Sequence, residues 1–448
     1  MIDLVRRPLV HILDSRTRWP AVNAWLRGSM LIAGASFLEK AIALLQTVII
    51  ARALGVDDYG VYALFFTTAG FIVPIANLQL GYVIIVYVAR HRRDDPRRAG
   101  TIILLAEILT NASIMAFALP MAVFPSAVGN LLFPSADLPA LAILLAVTTA
   151  LSTKSGIYDC LLQANEAFGR LARLRVAAGT VTITLVAAGA LAGAGLMEIL
   201  ILTALAGLVR LVIMALAVRA TRHSLVAGAT LRDVRGETGL LWSFSLPSAL
   251  ISVSTGFVAW IAFWSLSHTP TGLADVAVLS VALQWRAPAA LVVQAFATTF
   301  VPAYAARIGA GTDDTGRQLY RANLAITTLL SCGAFAAIAV LAPFILGLYG
   351  DGFADRTLLF VVGAAHMVPM MLLAAVQQRL VAEGLMWRNV AAFTPLLATI
   401  TVGLLLARPT GLFIAQLQLL GWSLALVAAV LATAVRGRGR SPSTETEP

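Results

Sequence analysis

The sequence predicts an all-α polytopic membrane protein: about twelve transmembrane helices in two six-helix lobes around a central cavity. Three observations lead there. Of 448 residues 59% are hydrophobic and only 12% charged, with a mean hydropathy of +0.87, which no water-soluble globule shows. Apolar segments of twenty or more residues recur along the chain, each long enough to cross ~30 Å of hydrocarbon as a helix. The arginines gather in every second connection. A β-barrel would read as ~10-residue alternating segments, and the sequence has none.

Taken in order, the first span is expected at 28–50, opening after Arg27 and closing before Arg52, and the second at 61–88, carrying Pro74 and ending in Ala89-Arg90. HRRDDPRR separates it from the third, 100–122, and 138–162, 172–193 and 197–218 complete the first half. The longest connector, 219–238, follows. The second half reads as 239–266, 276–303 with Pro288, 322–346, 357–380, 389–407 and 411–434. The halves repeat weakly: Pro74, Ala89-Arg90 and Asp94-Asp95 correspond to Pro288, Ala306-Arg307 and Asp313-Asp314. Parallel six-helix halves around a central site are a transporter architecture.

These spans leave 25 cations in the tails and alternate loops on one side, three on the other (Arg52, Arg356 and Arg408) and four within spans. That asymmetry predicts both termini in the cytoplasm. It also accounts for the pI near 10.3 without nucleic acid as a partner. Residues 1–27 hold five arginines and no apolar core ahead of a cleavage site, so the first span is expected to direct insertion. The division expected is a cytoplasmic segment 1–27, a lobe 28–222, a linker 223–238, a lobe 239–435 and a disordered cytoplasmic tail 436–448 ending SPSTETEP. The opposite-side connections are short and acidic, leaving no room for a catalytic ectodomain, and no GxxxxGK[ST] occurs. Cys160 and Cys332 lie in or beside spans and read as inert packing residues.

Seven ionisable residues fall inside spans: Glu39, Lys40, Glu107, Lys154, Asp159, Arg210 and Arg286. Each costs about 2.5–3.5 kcal/mol at mid-membrane, so each faces a packed interior or a watery cavity. On a helical wheel Ser36, Glu39, Lys40, Ala43, Gln46 and Thr47 share an arc of ~120°, a polar stripe near mid-depth. Arg210 shares a face with Thr203, Ala206, Gly207 and Met214, and Arg286 lies near Ala290, Gln294 and Ala297. Small residues around a long cation suit close helix packing or a cavity wall. Acid and base pairs locking helices together are the competing reading for the set, while Lys40, central on its stripe, points to a cavity. His366, in GAAHMVP, reads as a packing residue, and Trp260 and Trp264 as an interfacial belt. Four cations against three acids leave the interior net positive, which suits an anionic ligand such as a diphosphate.

The stretch Ile49–Leu64, IIARALGVDDYGVYAL, resembles the first-span exit of oligosaccharide and polysaccharide flippases in the multidrug/oligosaccharidyl-lipid/polysaccharide exporter superfamily. The match runs through Ala51, Arg52, Leu54, Gly55, Asp57, Asp58, Tyr59, Gly60 and Tyr62. Similar pieces follow in order: Pro74 and Gly81, LLQANEAFGR, FSLPSAL, VPAYA and LYGDGF. The resemblance implies a flippase, not an enzyme, moving polyprenyl-diphosphate-linked oligosaccharide across the bacterial inner membrane for surface polysaccharide biosynthesis. Two lobes would rock around a cationic cavity, with Lys40, Arg210, Arg286, Lys154, Glu39 and Gln46 as candidate substrate contacts and no cofactor or metal. Partners implied are the lipid-linked oligosaccharide, membrane lipids, and a polysaccharide polymerase and glycosyltransferases of the same pathway. Relatives that flip the peptidoglycan precursor carry first-span arginines and two further helices, which this chain lacks. The rival within the fold is an ion-coupled multidrug antiporter.

Overall fold

The computed structural model describes residues 20–134, 138–239, 242, 245–291, 293, 304, 313–383 and 385–434. No strand occurs among them. The first element, α1 (Pro20–Asn77), is a 58-residue helical run interrupted at Gly55, whose backbone (φ 78, ψ 177) is not helical. That left-handed region is open to glycine and strained for other residues. Gln46 reaches the Tyr62 hydroxyl, although sixteen residues of straight helix would hold them ~24 Å apart. The chain therefore folds back at Gly55, and α1 supplies two crossings as two arms.

The second arm is interrupted at Leu78 and Gln79, both with positive φ, where the Asn77 side chain accepts from the Gln79 amide at 2.7 Å. It resumes as α2 (Leu80–His91), whose middle, Ile84–Val88, is a π-helical turn. The break falls here and not at Pro74, which the helix accommodates. The first half continues through α3 (Pro96–Val123), the short α4 (Pro125–Leu132), α5 (Ala140–Ala164), α6 (Phe168–Leu191) and α7 (Leu196–Val226). A connector turn, α8 (Leu231–Val234), leads to α9 (Leu246–Ser267) and α10 (Gly272–Trp285), whose helical turns continue over 287–291. Then come α11 (Asp313–Val340), α12 (Ala342–Tyr349), α13 (Asp351–Ala354), α14 (Thr357–Ala382), α15 (Met386–Leu406) and α16 (Gly411–Ala434). Ten described helices are long and apolar enough to cross a membrane; the double pass of α1 and the crossing begun by α10 bring the total to about twelve.

Hydrogen bonds show which connections share an end. At one end Arg92 pairs with Glu166 at 2.6 Å, Arg97 with Asp233 at 3.0 Å and Arg98 with Glu237 at 2.7 Å, so the loops after α2, α5 and α7 lie together. At the other, Arg52 donates to the Leu348 carbonyl at 2.7 Å and Trp264 to the Leu131 carbonyl at 2.7 Å. There Asp275 pairs with Arg356 and accepts from the Gly411 amide at 3.0 Å. The first is the arginine-rich end, the second the acidic one. Among the described connections, loops alternate between the two ends.

The apolar core is divided unequally. Toward the acidic end one cluster joins both halves, from Ile50, Tyr59 and Leu145 to Val278, Tyr349 and Phe360. Toward the arginine-rich end it splits, with Leu80, Ile102 and Leu161 in the first half and Phe393, Leu396 and Trp422 in the second. The halves are fused at one end and separate at the other. Arg307, Gln294, Ala297, the VPAYA stretch other than Tyr304, and segments 1–19 and 435–448 lie outside the described residues.

Candidate functional site

Where the shared core ends, a cavity of about 630 Å³ opens between the halves. The second arm of α1 contributes Thr67, Gly70 and Pro74, and α9 contributes Ser252, Thr255 and Gly256. Opposite them stand Arg286, His366, Gln377 and Gln418. The two walls cross closely at Gly256, where a Cβ would lie 3.2 Å from the Phe71 Cα. Glycine permits that approach, and the packing around the cavity depends on it.

Arg286 is the one charged side chain on this lining among the described residues. Its Nη1 donates to His366 Nε2 at 3.0 Å and to the Met370 sulfur at 2.9 Å. Arginine can only donate, so His366 Nε2 must accept, and the imidazole is neutral with its proton on Nδ1. No carboxylate pairs with Arg286 among the described residues. The guanidinium is held in place by neutral groups and keeps its charge available to the cavity.

The other expected site residues lie elsewhere. Arg210 on α7 bridges two acids, Asp159 of α5 at 3.0 Å and Glu39 of α1 at 3.6 Å, and Arg175 of α6 joins Asp159 at 3.2 Å. Four charges thus cancel within the first half. Glu107 of α3 binds Arg222 of α7 in a two-pronged pair at 2.5 and 2.6 Å, with half-buried Lys154 as its electrostatic neighbour. Lys40 is exposed and forms no ion pair among the described residues. Gln46 is half-buried beside Tyr62. The structure brings Glu39 and Arg210 together and sets Arg286 apart on the cavity.

Arg175 and Arg222 read in the sequence as loop cations; the helices extend far enough to draw both into acid pairs. His366 reads as packing, and its contact with Arg286 spans 80 residues, which no local pattern encodes. Gln377 and Gln418 were missed in the sequence, although an amide inside an apolar run is a signal that could have marked them. Trp264 reaches across to α4, while Trp260 stacks on Phe71 with ring centroids 5.1 Å apart.

Between cavity and acidic end lies a hydrogen-bonded aromatic layer. Trp285 Nε1 donates to the Tyr349 hydroxyl at 3.2 Å, which donates on to Thr47 at 3.2 Å, which donates to the Leu44 carbonyl at 2.8 Å. Gln284 donates to the Tyr59 hydroxyl at 3.1 Å, and the Tyr59 ring packs edge-on against Phe353. Gly60 makes the contact possible, because a Cβ there would fall 2.1 Å from the Leu273 carbonyl oxygen.

Solved transporter structures share this architecture. An inward-facing multidrug resistance MATE family transporter of the MOP superfamily superimposes with a TM-score of 0.74 over 90% of this chain and 96% of that one, at 15% identity. An outward-facing MATE structure gives 0.64 over 92% and 96% at 16% identity. A MOP superfamily transporter from Pyrococcus furiosus, described as having a binding pocket of reverse polarity, gives 0.65 over 92% and 95% at 16% identity. Within that fold, residues 25–306 match the polysaccharide biosynthesis protein family, and the chain belongs to it. The EPS I polysaccharide export inner membrane protein EpsE of Ralstonia solanacearum is 25% identical over 391 residues, 83% of this chain and 84% of that protein. Its counterpart in Ralstonia nicotianae is 26% identical over 402 residues, 82% and 83% of the two chains. The chain is a multi-pass membrane protein of the polysaccharide biosynthesis protein family, and the relatives it resembles are named inner membrane proteins.

Proposed function

We propose that the protein flips a polyprenyl-diphosphate-linked oligosaccharide from the cytoplasmic to the outer leaflet, for surface polysaccharide assembly, by alternating access of its two halves. Arg286 is the observation that carries this reading. A half-buried cation facing an open cavity, with no carboxylate partner among the described residues, is a site that lacks its anion. A diphosphate supplies it, and a guanidinium grips phosphate oxygens in two-pronged fashion. The amides of Gln377 and Gln418, and the Ser252 and Thr255 hydroxyls, give hydrogen-bonding partners for sugar hydroxyls.

Orientation follows from charge. With the arginine-rich end and both termini in the cytoplasm, the divided core faces inward and the aromatic layer closes the outside. The higher likeness to an inward-facing relative supports this state as the loading one. Partners on the reading are the lipid-linked oligosaccharide, the surrounding lipids, and the polymerase and glycosyltransferases that consume and supply it.

The test is transport in proteoliposomes with a diphosphate-linked oligosaccharide. Wild type moves it, and Arg286→Gln does not. Unchanged transport by that variant, or exchange of protons for cationic drugs by the wild type, overturns the reading in favour of an antiporter.

A further inference from the structure

A second cavity, of about 260 Å³, lies beside the first. Thr68, Phe71 and Ile72 of α1, Phe117 and Pro120 of α3, and Trp260 of α9 wall it. Thr68 spends its hydroxyl on the Leu64 carbonyl at 2.7 Å, so it offers the space no donor. Neighbouring residues divide between the two cavities: Thr67, Gly70 and Ala259 line the central one, Thr68, Phe71 and Trp260 the apolar one. The partition is the stacked pair Phe71 and Trp260, whose planes lie 14° apart. Beyond the groove, Met115, Leu119 and Val123 of α3 are exposed, as befits lipid-facing surface. The groove thus lies between the cationic cavity and the exposed apolar surface of α3.

We propose that this groove binds the head-proximal part of the substrate's isoprenoid chain while the diphosphate sits at Arg286, a proposal that rests on the flippase reading. A space of 260 Å³ equals on the order of nine water volumes, and a carbon-walled cavity stays dry and accepts apolar guests. The Trp260 indole nitrogen is buried without a partner, at the border where a lipid-linked diphosphate changes from chain to head. An indole there covers the first carbons with its ring and offers its N–H to an oxygen. Walls from both halves make the groove change shape as they move, so the chain is carried with the head. A phospholipid acyl chain has similar chemistry, and the two sources are separable.

Binding of methyl diphosphate and of geranylgeranyl diphosphate is measured on the purified protein in detergent. Wild type binds the second at least tenfold more tightly. Ala116→Phe and Val128→Trp, which fill the groove, each remove that advantage and leave methyl diphosphate affinity unchanged, which also shows that the variants are folded. Arg286→Gln weakens both ligands and keeps their ratio. If both groove variants retain the tenfold advantage, the groove assignment is overturned while Arg286 stands. If Arg286→Gln alters neither affinity while the groove variants do, the flippase reading fails and the chain site remains. A tenfold excess of phosphatidylethanolamine leaves geranylgeranyl diphosphate bound; displacement assigns the groove to membrane phospholipid and overturns the proposal.

Discussion

A guanidinium presents five N–H donors, and Arg286 commits one nitrogen to His366 and Met370. On the proposed function, the donors left over receive the anion. Replacing it with glutamine removes a charge-assisted contact of about 1.5–3 kcal/mol, so substrate affinity is expected to fall roughly 10–150-fold. Lysine at this position recovers part of it, because it keeps the charge and loses the fork. The paired cations behave differently. Glu107→Gln leaves Arg222 without its carboxylate and is expected to lower detergent stability measurably. The double variant Glu107→Leu/Arg222→Leu is expected to lose less, since it strands no charge; thermal unfolding of the two variants decides it. The sequence made all seven intramembrane charges visible, because charge in an apolar run is conspicuous. It did not sort them, because sorting depends on which helix lies opposite. Arg210 and Arg286 look alike in one dimension, yet one faces two acids and the other a neutral histidine.

Among the elements, α1 carries most of the packing between halves, through its contacts with α9 and α10, while its contacts with α6 hold it within the first half. Its two arms depend on Gly55 and Gly60 for different reasons. Gly55→Ala forces a side chain into φ 78 and is expected to cost about 1–2 kcal/mol. Gly60→Ala is expected to do more than destabilise: the added methyl meets the Leu273 carbonyl, so α1 must part from α10. Cysteine labelling at Thr47 from the acidic side should rise in Gly60→Ala relative to Gly55→Ala. The connector element responds to pH. The Thr230 hydroxyl and the Arg97 guanidinium hold the Asp233 carboxyl below its ordinary value. The clamp they form is therefore in place above the ordinary aspartate value of about 3.9 and is lost as pH falls through the lowered one. A spin label at Gly236→Cys is expected to be immobile at neutral pH and to gain mobility in acid, with high salt acting in the same direction. Helix existence was legible from length and hydropathy alone. The interruption at Leu78 and Gln79 was not, because neither is a turn-forming residue, while Pro74 nearby signals a break that the helix absorbs.

For the whole molecule, the topology is checked in a Cys160→Ala/Cys332→Ala background with cysteines at Asp94 and Asp351. With intact cells an impermeant thiol reagent is expected to label position 351 and spare 94. Arginine placement made the two ends legible, since the pairs of Arg92, Arg97 and Arg98 gather at one of them; which end is fused was not, because it depends on which helices lie opposite each other. The fused end has an electrical consequence. On the proposed orientation, water reaching the cavity from the cytoplasm brings the cytoplasmic potential up to the aromatic layer of Tyr59, Tyr349 and Phe353, all buried to within 1%. The membrane voltage then drops across that thin layer instead of across the whole bilayer. A 100 mV potential is worth ~2.3 kcal/mol per elementary charge, and with the inside negative it favours outward movement of an anion. Tyrosines packed to exclude water are in this sense insulation, and on the proposed function a dianionic cargo on Arg286 traverses the voltage drop when the halves rock. Valinomycin-imposed potentials of opposite sign in proteoliposomes are expected to speed and slow export respectively, and a Tyr59→Ala/Tyr349→Ala variant is expected to leak ions.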